Sequence, residues 1–410
     1  MTSRRRFLQS AAAGSLLASS GRAATGRAAF RYDEIEAKIA RRDFRGITKQ
    51  DLGTPSMILD LDLFQKNLNT MASHSKATGL SLRPHVKIHK SPDVSKRQIA
   101  LGASGVTCAT IAEAELMVAA GIRNALLTGQ PAGVNKIGRA AALAKKDPTF
   151  TVAVDDPRIA EQLEEACAAA GSKLNIMTDV HAGLTRQGCR PGETALKLAQ
   201  KIDSSKNLKL AGLMGYSGNA SHTKGWEERK KKSQDDLAGL LESVALCRRS
   251  GMEVKIITGG STGTYNIDVG SLTELQCGSY VFMDTIYRKI GGKSDAVLYA
   301  DFDSSLTVMT TVISKTRPNV CSIDCGNKAL LRPTDQVKGH PGVKIENQGA
   351  EYGLLLWNDG DHDFQLGDRV EIYPSNLDMS TNVYDRYYVA RGEQIVDVWP
   401  IMGRSGAVQR

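Results

Sequence analysis

The run Ser81-Leu82-Arg83-Pro84-His85-Val86-Lys87-Ile88-His89-Lys90 holds the densest set of side chains able to do chemistry. Read with the period of two that a strand imposes, Leu82, Pro84, Val86 and Ile88 face one way and Arg83, His85, Lys87 and His89 the other. A buried row of cations is costly without an anionic ligand, and phosphate is the obvious one. Far downstream, Gly259-Gly260-Ser261-Thr262-Gly263-Thr264 follows the strand-like run Val254 to Thr258. A glycine-rich loop at a strand's end lets successive backbone N–H groups close on an anion, with the hydroxyls adding donors. Gly278-Ser279-Tyr280 forms a second small-residue turn. The loop lacks a Walker lysine and the dinucleotide fingerprint, which disfavours a nucleotide.

These residues need a scaffold that brings them together. Eight short apolar runs, starting at 56, 81, 105, 125, 150, 174, 208 and 254, alternate with helix-compatible stretches. That alternation argues for βαβ units, and eight parallel strands are what a closed (β/α)8 barrel requires. The barrel, with a lead segment, is expected over 31–290. From there strands crowd without long helices, which marks a smaller C-terminal β domain over 291–410 and makes the fold class α/β.

Hydrophobic residues make up 41% and charged residues 24% of the 410, the composition of a globular protein and not of a disordered or multi-spanning one. Residues 1–30 read as a leader. Ser3-Arg4-Arg5-Arg6-Phe7-Leu8-Gln9 is a twin-arginine pattern, and the apolar run Ala11 to Ala18 behind it is too short to span a bilayer. The expectation is export of the folded protein to the periplasm, with no membrane association once the leader is removed. The net charge of +9 falls to +4 without the leader's five arginines, and no basic-aromatic interleaving remains to suggest nucleic acid. The seven cysteines show no disulfide-framework spacing and read as buried thiols.

Taken together, the motifs resemble the fold-type III pyridoxal phosphate enzymes, and within them the D-threonine aldolases, 3-hydroxy-D-aspartate aldolases and eukaryotic-type D-serine dehydratases. The Arg-Pro-His-x-Lys-x-His-Lys motif of that group is matched at Arg83 to Lys90. The resemblance implies that Lys87 holds the cofactor as a Schiff base beside His85. Asp179 to Gly188 looks like the group's Asp-x-Gly-x-x-Arg-x-Gly segment with a shifted glycine, so Arg186 would contact the ring hydroxyl. Gly212 to His222 supplies Tyr216 near the ring and His222 near the substrate. Ser261, Thr262, Gly263, Gly278 and Ser279 would cradle the phosphate, and Tyr287 fits the closing tyrosine. Chemistry agrees, because the cofactor needs an amine nucleophile, and the neighbouring cations His85, His89 and Lys90 should lower the pKa of Lys87.

The sequence also departs from the group. Its metal motif, Pro-x-His-x-Asp or Pro-x-His-x-Cys, becomes Pro374-Ser375-Asn376-Leu377-Asp378 here. If extended, Asn376 and Asp378 project to one face as two oxygen ligands, which suits magnesium, manganese or calcium better than zinc. Glu351-Tyr352 and Thr110 are further differences. The implied activity is retro-aldol cleavage of β-hydroxy-D-amino acids to glycine and an aldehyde by a homodimer, with His222 or a metal-bound water at Asp378 as base. Dehydration is the closest rival, followed by racemisation and by cofactor binding without turnover.

Overall fold

A computed structural model describes residues 30–331 and 336–404, so the leader expected over 1–30 lies, apart from Phe30, outside the described residues. Strand β1 (Ser56–Asp60) leads into the helix Leu61–Thr78. That helix starts where the Asp60 carboxylate accepts from the N–H groups of Asp62 and Leu63, each at 3.1 Å, and ends at Gly79 with a φ of 71°. Eight parallel strands follow: β2 (Ser81–Leu82), β3 (Val106–Cys108), β4 (Ala125–Leu127), β5 (Thr151–Val154), β6 (Leu174–Asp179), β7 (Leu208–Gly215), β8 (Ile256–Gly259) and β9 (Glu274–Leu275).

Their spatial order, β2-β9-β8-β7-β6-β5-β4-β3, curls until the two edges meet. Ser104 N donates to Leu82 O and Thr107 N to Pro84 O, both at 2.8 Å, which closes the barrel between β2 and β3. Leu127, Val152 and Ile176 pack on the surrounding helices in the main core. The alternate positions Leu126, Ala153, Met177 and Met214 form a separate small cluster inside the barrel. Fully burying one such aliphatic side chain contributes roughly 1.5–3 kcal/mol.

The barrel has the expected number of strands but not the expected set. The run at Ser56, counted above as a barrel strand, instead pairs antiparallel with β10 (Leu306–Arg317) and parallel with β15 (Arg386–Arg391) in the second domain. A strand buried on both faces looks the same in the centre of either sheet. The eighth barrel strand is β9, whose two residues are too short to show any period. The second domain adds β11 (Val320–Ile323), β12 (Lys344–Asn347), β13 (Gly353–Leu356), β14 (Arg369–Ile372) and β16 (Gln394–Pro400). Its sheet runs β12-β13-β11-β10-β1-β15-β16, with β14 also on β10. All seven cysteines are buried and free.

Candidate active site

The Lys87 segment is not one continuous strand. β2 ends at Leu82, and a 3-10 turn takes over at Val86–Ile88, with the His85 Nδ1 accepting from Lys87 N at 3.3 Å. The turn breaks the period of two, so the four cations do not share a face. Arg83 points into the barrel and is paired with Glu274 of β9, Nε and Nη2 each 3.0 Å from Oε2. His89 is fully buried, and that burial together with Lys90 pushes it down to about 3, which leaves it neutral. Lys90 takes φ of 52° and turns its ammonium to the second domain. There Nζ donates to Lys87 O at 2.5 Å, Asp378 O at 2.8 Å and Thr381 Oγ1 at 2.9 Å. Of the set, His85 and Lys87 reach the cavity.

That cavity, about 320 Å³, opens at the C-terminal ends of the barrel strands. It brings together His85, Lys87, Arg186, Tyr216, His222, Ser261, Thr262, Gly278, Ser279, Tyr287, Asn376 and Asp378, all twelve of them expected from sequence. Lys87 Nζ lies 3.4 Å from Asp378 Oδ2. Burial, the largest single influence, works to lower the Lys87 pKa, but the Asp378 carboxylate and then Tyr216 outweigh it and the net shift is upward. This reverses the lowering expected from neighbouring cations, because His85 and His89 are neutral and Lys90 faces away. Burial and then Lys87 hold His85 well below its ordinary value, and the same two causes lower His222. The His222 ring lies 4.5 Å from that of Tyr287, whose hydroxyl is 2.7 Å from Ser221 Oγ. The Arg186 guanidinium sits 6.0 Å from the Tyr216 ring.

The loop after β8, which lines the same cavity, turns at Gly260 with φ of 73°. Thr264 Oγ1 accepts from Ser261 N at 3.1 Å and donates to the buried Asp268 at 2.6 Å, which also receives Ser233 Oγ at 2.6 Å. Thr262 Oγ1 accepts from Tyr280 N at 3.0 Å, tying the two small-residue turns together. A Cβ on Gly278 would meet Ile88 Cγ1 at 2.8 Å, so the lysine turn packs directly on that glycine. Gly263, expected in the cradle, is absent from the cavity wall. Its carbonyl accepts from Arg229 Nε at 2.7 Å, and a Cβ there would lie 2.2 Å from Ser221 O. Close backbone packing, not anion binding, requires that glycine.

The metal pair is not extended. Asn376 caps the short helix Leu377–Ser380, its Oδ1 accepting from Met379 N at 3.0 Å. Asp378 directs Oδ2 to Lys87, while its Oδ1 is buried without a hydrogen-bond partner. Among the described residues no group of three His, Cys, Asp or Glu could hold a metal ion. With the carboxamide oxygen committed to the cap, one carboxylate remains, and this donor set does not fit a divalent cation. Thr110 is likewise a cap, its hydroxyl accepting from Glu113 N at 3.2 Å, and Glu351 pairs with Lys328.

Several cavity residues had no assigned role. Asp179, at the end of β6, is pushed up to about 7 by burial, and Gln187 Nε2 donates to it at 2.9 Å. Asp284 is pushed up to about 6, again chiefly by burial, and caps Tyr287 N at 2.9 Å. Their positions beside recognised motifs were the available signal. Gln276 follows β9 and was hidden with it.

Residues 59–286 match the alanine racemase N-terminal domain and residues 305–390 the putative serine dehydratase domain. The barrel and its cavity therefore have the architecture of fold-type III pyridoxal phosphate enzymes. The chain is 33% identical to the 3-hydroxy-D-aspartate aldolase of Paracoccus denitrificans (strain Pd 1222), over 88% of this chain and 94% of that one. It is also 33% identical to the D-threonine aldolase of Arthrobacter sp, over 86% and 92%. The crystal structure of D-threonine aldolase from Filomicrobium marinum matches with a TM-score of 0.84 and 34% identity, over 88% of this chain and 98% of that one. The chain belongs to the family of D-threonine aldolases, 3-hydroxy-D-aspartate aldolases and D-serine dehydratases. The residues present fit pyridoxal phosphate: one cavity holds an amine at Lys87, hydroxyls and small-residue turns at Ser261, Thr262, Gly278 and Ser279, and a neutral imidazole at His85.

Proposed function

We propose that this protein is a pyridoxal phosphate-dependent lyase that cleaves β-hydroxy-D-amino acids between Cα and Cβ, yielding glycine and an aldehyde. The observation that carries this reading is that Lys87 lines the same cavity as the Ser261, Thr262, Gly278 and Ser279 cradle. Lys87 would hold the cofactor carbonyl, Ser261, Thr262 and Ser279 its phosphate, and Arg186 its ring hydroxyl. When bound, the cofactor withdraws electrons from the substrate Cα, and the protein chooses which bond breaks. Tyr287, fixed by Ser221, and His222 beside it wall the substrate side of the cavity. His222, kept neutral by burial and Lys87, is able to accept a proton. A homodimer exported to the periplasm completes the reading, supported by the family resemblance and the pattern at Ser3 to Gln9.

Product analysis on D-threonine tests the reaction. Glycine with acetaldehyde is expected. 2-Oxobutanoate with ammonia would establish a dehydratase instead, and L-allo-threonine a racemase.

A further inference from the structure

We propose that Asp378 itself accepts the proton of the substrate β-hydroxyl and that the reaction runs without a divalent cation. The inference rests on the lyase reading above. Three observations lead to it. Asn376, which stands where the family places a metal-binding imidazole, spends its side-chain oxygen on Met379 N at 3.0 Å. Asp378 is hemmed in by nitrogen groups of this chain, Lys87 Nζ 3.4 Å from Oδ2 and Lys90 Nζ 2.8 Å from its backbone carbonyl oxygen, so the ground beside it that a cation would take is already occupied. Finally, Asp378 lines the cavity with a partly exposed carboxylate whose Oδ1 has no hydrogen-bond partner, so the group keeps acceptor capacity that Lys87 does not fill.

The loop that carries Asp378 is also held in register with the lysine. Lys90 bridges the Lys87 carbonyl, the Asp378 carbonyl and the Thr381 hydroxyl, while its own carbonyl accepts from Met402 N at 3.0 Å and Gly403 N at 2.9 Å. The backbone at Lys87 and the backbone at Asp378 are therefore tied together through Lys90 without an ion. In the step itself the β O–H bond breaks and its proton goes to Asp378. The O–H electron pair becomes the second C–O bond of the aldehyde as the Cα–Cβ bond breaks. The pair from that bond stays on Cα; Asp378 passes its proton across to the Lys87 amine, 3.4 Å away in the cofactor-free protein, and the ammonium so formed delivers it to Cα. No oxidant or reductant is needed, and both side chains end as they began.

The test uses the cofactor-loaded enzyme. After exhaustive chelation, D-threonine cleavage should change by less than about twofold, and a manganese titration followed by calorimetry should show no stoichiometric binding. Asp378→Asn should lose about 100-fold or more in cleavage, the low end of what a general base supplies. The same variant should retain the absorbance of lysine-bound cofactor and fall less than about tenfold in solvent exchange of the glycine α hydrogen, a reaction that involves no β-hydroxyl. A merely structural role would lower both reactions together, and that result would overturn the proposal. So would cleavage abolished by chelator and restored by manganese, or Asp378→Asn cleaving normally while His222→Asn does not. Wild-type enzyme that exchanges glycine but cleaves no β-hydroxy-D-amino acid would remove the lyase reading and this inference together; the chelator result removes this inference alone.

Discussion

Asp179 shows how one buried carboxyl sets a pH dependence. Burial raises it from the usual 3.8 to about 7, so between those values the folded protein keeps a proton that the unfolded chain has released. Stability attributable to this group therefore falls as pH rises from about 4 to about 7 and stays low above that. Asp179→Asn has no proton to lose. The cofactor-free variant should show a smaller drop in melting temperature from pH 5 to pH 8 than the wild type, and an unchanged drop would remove Asp179 from the account. At this scale much was legible: Lys87 stood out by residue type and spacing, Arg186, Tyr216, His222 and Tyr287 were implied by the resemblance of their segments to the family's motifs, and all five line the cavity. The charge state of Lys87 was not, because it depends on Asp378, nearly three hundred residues away.

The decisive element is β9. It is only Glu274 and Leu275, yet it pairs with β2 on one side and β8 on the other and completes the barrel. It also carries the counter-ion of Arg83, a pair buried at 2% and 4% exposure. Breaking such a pair leaves an uncompensated charge, so Glu274→Gln should destabilise the protein by about 3–5 kcal/mol in urea unfolding. Replacing both partners, Arg83→Met with Glu274→Leu, should recover most of the loss. A double variant no better than the single would show that the ion pair is not the source of the cost. The strand was illegible in sequence because two residues carry no period, and without it Arg83 looked like a ligand-seeking cation.

The whole molecule is built from both ends of the chain around the barrel. β1 sits between β10 and β15 in the second domain, and Tyr387 Oη donates to His89 O at 2.7 Å across to the lysine turn. A site assembled this way forms only in the complete fold, which is compatible with the proposed export of the protein already folded. The twin-arginine pattern at Ser3 to Gln9 makes that proposal testable: Arg4→Lys with Arg5→Lys should leave the protein in the cytoplasm, as fractionation would show. Undiminished periplasmic delivery of the variant would rule out the twin-arginine route.

By itself the sequence determined whatever is encoded within a few adjacent residues: the alternation of strands and helices, the lysine motif, the glycine turns after β8 and β9, and through them the family. The tertiary structure decided everything that needs a distant partner. Glu274 neutralised Arg83, the second domain drew Lys90 away from the cavity, β1 joined a sheet whose other strands begin at Leu306, and Met379 took the side-chain oxygen of Asn376. Local patterns reflect backbone geometry and burial, which repeat along the chain. Charge compensation and hydrogen-bond partnership depend on which surfaces meet, and only the packed molecule sets that.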